Sequence, residues 1–168
     1  MTAPQPTLAD FLAFAVGPNS TMQIPPIALP ANSPWPGIAL GIALSLVNQA
    51  LQNMPIPQTD AANVQLNTGG FTIYSQAVYY LAADTLLNIT PDVQGQNYFK
   101  EIREKLNLNG FTSGVVQSAG DDTSNVSIVV QDAAKAFTLA NIQQLKTPYG
   151  RMYLQLAQSY GNATWGIS

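Results

Sequence analysis

The groups able to do chemistry in this 168-residue chain are few, because it contains no histidine and no cysteine. That removes the Ser-His-Asp and Cys-His triads, the usual zinc spheres, the commonest general base and any disulfide. Carboxylate, lysine and tyrosine chemistry remain. The carboxylates nearest one another are Asp121 and Asp122, inside "SAGDDTSN". Adjacent aspartates on a turn supply Asx-turns and solubility before they hold a cation. Asp84 stands inside an apolar helical pattern, where burial and pairing are open to it, but one carboxylate is not an acid–base pair. The chain has no P-loop, no GxGxxG after a strand, no HExxH and no GxSxG. The tripeptides "NIT" at 88 and "NVS" at 125 match the glycosylation sequon at chance frequency, and no signal peptide supports them. The chain therefore reads as a non-enzyme with no catalytic, cofactor-binding or metal-ligating residue.

The elements that would position these groups are unusual in charge. Only 9% of residues are charged, against about a quarter in ordinary soluble domains. Residues 1–83 carry two charges, Asp10 and Asp60, and every basic residue lies at or beyond Lys100. A net charge of −3 without a basic cluster argues against a nucleic-acid binder. Two readings account for the rest: a polar surface of Asn, Gln, Ser and Thr, or a surface covered in an assembly. The most apolar run, "GIALGIALSLV" at 37–47, is too short for a bilayer, which takes roughly 20 residues. Its Gly37 and Gly41 point to close helix packing in a soluble core.

One domain is expected, mainly α, as a helical bundle with an irregular Pro-rich N-terminal segment and a β-hairpin-like arm. Ten of twelve prolines fall in residues 1–57. Residues 1–36 read as a short helix capped by Thr7, then a strap over 17–36 laid on its own body or on a neighbour. Residues 37–110 form the helical body. Its first helix runs from Pro34 and Pro36 to about Asn53, ahead of Pro55 and Pro57. Its second carries Phe71, Tyr74, Val78, Leu81 and Thr85 at helical spacing and closes before Pro91. Its third, about 95–108, buries Phe99, Ile102 and Leu106. It pairs Lys100 with Glu104 and Glu101 with Lys105 on a solvated face, and stops at Gly110.

Residues 111–131, "FTSGVVQSAGDDTSNVSIVVQ", place Val115 and Val116 on one side of a polar turn and Val126, Ile128 and Val130 on the other. This is a hairpin signal with a loop longer than a tight turn, and a lone hairpin needs a surface to lie on. Residues 132–160 form two helices. The first is expected to turn Phe137 and Leu145 inward. The second opens with Thr147 as cap and Pro148 at N1, runs a stripe of Tyr149, Tyr153, Leu156 and Tyr160, and stops at Gly161. The tail, 161–168, holds Trp165 and Ile167 without a local partner.

The order of these pieces resembles the head-to-tail adaptor, or connector, proteins of tailed bacteriophages. The likeness rests on "QAVYYLAADTLLNI", then "SGVVQSAG" and "SNVSIVV" from Ser113 to Val130, then a helix, then "TPYGRMYLQL" from Thr147 to Leu156. It spans roughly residues 75–160. Members of that family often carry histidine where this chain has Ala82, Ala83 and Asp84, and the strand after the turn continues here into "VVQDAAKAF". The resemblance implies a helical body and a homo-oligomeric ring, a dodecamer that follows the portal's symmetry in the neck of the virion. Its partners would be the portal protein and a nozzle or head-closure protein of the tail, with genomic DNA passing through unread and no cofactor. The contact residues it implies are Val115, Val116, Ser118, Asp121, Asp122, Val126, Ile128, Trp165 and Ile167. Thr147, Pro148, Tyr149, Gly150 and Tyr153 would organise the body.

A ring built of heterologous contacts needs two different uncharged surfaces on one chain, which this composition supplies. Scarce Lys and Arg also suit a channel that must not hold phosphates. Another structural virion protein, for head closure or at the capsid, satisfies the same features. A helical small-ligand binder with tyrosine-rich pocket walls is the alternative from a different class.

Overall fold

A computed structural model describes residues 5–47, 72–109, 118–121, 124–127, 144 and 146–160. Its architecture is mainly helical. Among the described residues there are five helices, α1 (Leu8–Ala15), α2 (Trp35–Leu46), α3 (Ile73–Ile89), α4 (Tyr98–Lys105) and α5 (Pro148–Tyr160). The central one is α3, against which α1, α2, α4 and α5 all pack. Twelve of its seventeen residues are buried, including Tyr74, Val78, Tyr79 and Leu86. A helix apolar on most of its circumference belongs inside a bundle. Thr72 caps it by accepting the Ser75 N–H at 3.1 Å, and Thr90 ends it, as expected ahead of Pro91.

Thr7 caps α1, accepting the Asp10 N–H at 3.2 Å while its hydroxyl donates to the Asp10 carboxylate at 2.7 Å. The Thr7 N–H donates to the Tyr79 hydroxyl at 3.3 Å, which ties the start of α1 to α3. Below this contact Phe11, Phe14, Tyr79 and Tyr80 form an aromatic cluster, with Tyr80 edge-on to Phe14 at a 5.5 Å centroid separation.

The strap lies on its own body. After α1 the chain turns at Gly17, whose φ of +111° favours glycine, and loops round to lay Ile24 parallel to Val16. The Gly17 N–H reaches the Ile24 carbonyl and the Ile24 N–H reaches that of Ala15, both at 3.0 Å. This returns Met22, Ile24, Ala28 and Leu29 to the core. Ile27 alone among the strap's large apolar side chains points outward.

Three expectations are corrected. The first is the end of α2, at Leu46 rather than about Asn53. Val47 is extended and buried, so the core contact of its side chain takes the chain out of the helix before the prolines are reached. The second is the role of Gly37 and Gly41, which do not pack closely. A Cβ at either would meet nothing within 4 Å, and the face that meets α3 carries Ala39, Leu40 and Ala43.

The third correction concerns α4. It spans Tyr98–Lys105 and ends by a left-handed Asn107 (φ +51°), with the Leu108 N–H on the Arg103 carbonyl at 2.8 Å and Leu108 buried. This Schellman closure leaves no role for Gly110 as the stop. Neither expected i,i+4 pair of α4 closes. Its one ion pair among the described residues is Arg103 with Asp92, at 3.8 Å.

Within the arm, Ser118–Asp121 (β1) and Ser124–Ser127 (β2) pair antiparallel, with Ser118 opposite Ser127 and Asp121 opposite Ser124. The ladder thus runs through the polar stretch itself, closer to its centre than the flanking valines suggest. The rest of the arm, the helix expected after it with Phe137 and Leu145, and the stop at Gly161 lie outside the described residues, as does Phe71.

Candidate functional site

Asp84, the buried carboxylate, meets the cap of α5. It lies on α3 with 6% of its surface exposed. The Thr147 hydroxyl donates to Asp84 Oδ1, and Thr147 Oγ1 itself accepts the Gly150 N–H at 2.8 Å. One hydroxyl therefore ends α5 and fastens it to α3. Burial pushes the Asp84 carboxyl up to about 6, against a smaller lowering by the Thr147 hydrogen bond. Among the described residues the side chain that meets this carboxylate is the Thr147 hydroxyl. This arrangement positions helices.

The remaining residues of "TPYG" serve the same joint. Pro148 has no N–H to leave unpaired in the first turn. At Gly150 a Cβ would collide with the Gln144 carbonyl oxygen, so only glycine admits the chain segment before the helix. Tyr149 and Tyr153 are half-buried against the core. Burial raises the pKa of both, and for Tyr149 the neighbouring Tyr98 and Tyr80 add to it.

A second polar joint holds α3 to α4. Asp92 accepts the Phe99 and Lys100 N–H groups at 2.7 and 2.9 Å, which satisfies the open N-terminus of α4. Arg103 Nη1 donates to the Leu87 and Thr90 carbonyls at 3.2 and 2.6 Å, covering the C-terminus of α3. Each helix end receives the charge its dipole favours. The α4 charges had read as a solvated face and nothing more. Arg103 departs from that, because its guanidinium turns back to the α3 carbonyls.

Two apolar features of the described residues stand out at the surface. On α2, Gly37, Ile38, Gly41, Ile42, Ser45 and Leu46 are exposed together, with Ile38 at 44%, Ile42 at 38% and Leu46 at 63%. The twelve residues of this helix include no charge. The other surface is an open groove of about 180 Å³ where the strap, α3, α4 and α5 meet. Met22, Ile24, Leu87, Ile102, Pro148 and Tyr149 line it, with Lys105 at its edge.

Of the expected contact residues, Ser118, Asp121 and Val126 lie on the two short strands. Val115, Val116, Asp122, Ile128, Trp165 and Ile167 lie outside the described residues. The sequon at 88 is spent on structure: Asn88 Nδ2 donates to the Asp84 carbonyl at 2.8 Å, and Thr90 is buried. Among the described residues no three His, Cys, Asp or Glu side chains gather as a metal site, and no helix is long and apolar enough to cross a membrane. Comparison with protein-family models, curated proteins and solved structures finds no match to the chain.

Proposed function

We propose that this chain is a non-enzymatic structural protein of a tailed-phage virion, a head-to-tail adaptor. In this reading it forms a ring beneath the portal and extends the DNA channel toward the tail. The observation that carries the reading is the outer face of α2. Ile38, Ile42 and Leu46 stand in solvent beside Gly37 and Gly41, in a stretch of sequence whose charges before residue 84 are Asp10 and Asp60 alone. A charge-free apolar face of this kind marks an association surface. The order of the arm and the "TPYG" helix supplies the kind of assembly. The "TPYG" residues act there as the joint between α3 and α5, while Val115, Val116, Ser118, Asp121, Asp122, Val126, Ile128, Trp165 and Ile167 make the contacts with portal, tail and neighbouring copies.

The groove bears on the ligand-binding alternative. At about 180 Å³ it falls below the roughly 300–1,000 Å³ of pockets that enclose small molecules.

Sedimentation with a portal ring from the same genome, using wild type and Ile42→Lys, tests the association surface. Ile42 is on the outer face, so the variant should keep the wild-type melting temperature and bind the ring at least tenfold more weakly. Equal binding by both would remove α2 from the interface.

A further inference from the structure

We infer that the groove between the strap, α4 and the start of α5 is the docking site of the chain's own C-terminal tail, with Trp165 as the anchor. The groove suits an occupant the size of one large side chain, being too small for an ordinary ligand. Its walls, from Ile24 and Met22 to Ile102 and Tyr149, are apolar, and its one charged member, Lys105, stands at the edge. The tail "GNATWGIS" is uncharged, and Trp165 and Ile167 are its only large apolar residues. The other tryptophan, Trp35, is already packed against the core.

Chain length fits this return. Tyr149, in the groove wall, and Tyr160, the last residue of α5, are eleven positions apart, about 16 Å along the helix. From Tyr160 to Trp165 an extended chain reaches about 17 Å. A tail that reverses at Gly161 keeps four residues, about 14 Å, for the run back along α5, and the length of the indole side chain closes the remainder without spare length. Docking covers an apolar groove and an exposed tryptophan together, where each alone would lie in water. The inference concerns the chain before assembly, when Trp165 and Ile167 have no portal or neighbouring copy to meet.

The test is the environment of the Trp165 indole in the full chain, at micromolar concentration and after hundredfold dilution. In a Trp35→Phe background, emission should be blue-shifted and protected from acrylamide at both concentrations. Adding Ile102→Gln, a half-buried change in the groove wall, should shift emission to the red and raise quenching several-fold. Should Trp35→Phe fail to fold, fluorine NMR of the 5-fluorotryptophan chain, assigned with Trp165→Phe, reads the same environment. Solvent-like emission of Trp165 in the intact groove overturns the inference. So does insensitivity to Ile102→Gln, or protection lost on dilution, which would assign the tail to a second copy.

Discussion

The Thr147 hydroxyl donates to the Asp84 carboxylate while accepting the Gly150 N–H, so a single oxygen sets both the start of α5 and its attachment to α3. Replacing it removes two things together. Thr147→Val should lower unfolding free energy by about 2–4 kcal/mol, from a lost cap and an unpaired buried carboxylate. Thr147→Ser should recover most of that. In a cycle with Asp84→Asn, urea titrations should give a coupling of about 1–2 kcal/mol; strict additivity would deny the contact.

Asp84 also gives stability a pH signature. Its carboxyl is raised from 3.8 to about 6 by burial. Between those values the folded chain holds a proton that the unfolded chain has released, so folding takes up a proton. The stability contributed by this group is therefore full below about pH 4 and is lost as pH rises through 6. Its size is on the order of 3 kcal/mol. Asp84→Asn keeps an oxygen for Thr147 without the charge. The difference in unfolding free energy between the two proteins should rise from pH 4 to 6 in favour of Asn and level off above. A pH-independent difference would place the carboxyl in solvent.

Gly150→Ala should be among the most damaging single changes, because its Cβ would collide with the Gln144 carbonyl, a backbone atom with no free rotor. A loss of several kcal/mol is expected, seen as a large fall in melting temperature. A fall of only a degree or two would mean that Gln144 and α5 do not approach this closely.

Arg103 fastens α3 to α4 through the Leu87 and Thr90 carbonyls. Arg103→Met keeps the stem and removes the donors, at a cost of about 1–3 kcal/mol. Arg103→Lys should restore only part, since one ammonium does not reproduce the planar fork. Full rescue by lysine would mean that charge alone matters at this joint.

Thr90 Oγ1 is buried without a hydrogen-bond partner among the described residues. Thr90→Val has the same shape and leaves the Thr90 carbonyl to Arg103. It should stabilise the fold by about 1 kcal/mol in urea denaturation.

Much of the helical body was legible because local chemistry and burial agree there. Thr7 and Thr147 cap helices as their positions suggest, and the apolar spacing of α3 marks its buried faces. The sequence reading failed where tertiary contacts decided. Val47 leaves α2 to enter the core, and Asn107 takes the left-handed turn because that buries Leu108. Gly37 and Gly41 misled because a small-residue stripe reads alike on an inner face and an outer one. Sequence spacing is a poor guide to the partners of long charged side chains as well. Arg103 answers to backbone carbonyls sixteen and thirteen residues away, which no i,i+4 rule reaches. The Asp84–Thr147 contact spans 63 positions and became visible only when α3 and α5 were placed together.

The adaptor reading meets its most direct test in native mass spectrometry of the chain, alone and mixed with a portal ring from the same genome. The account predicts a species of the ring's mass plus about twelve copies of the chain, whether the free chain is a monomer or not. A chain that stays monomeric and leaves the portal mass unchanged would contradict it.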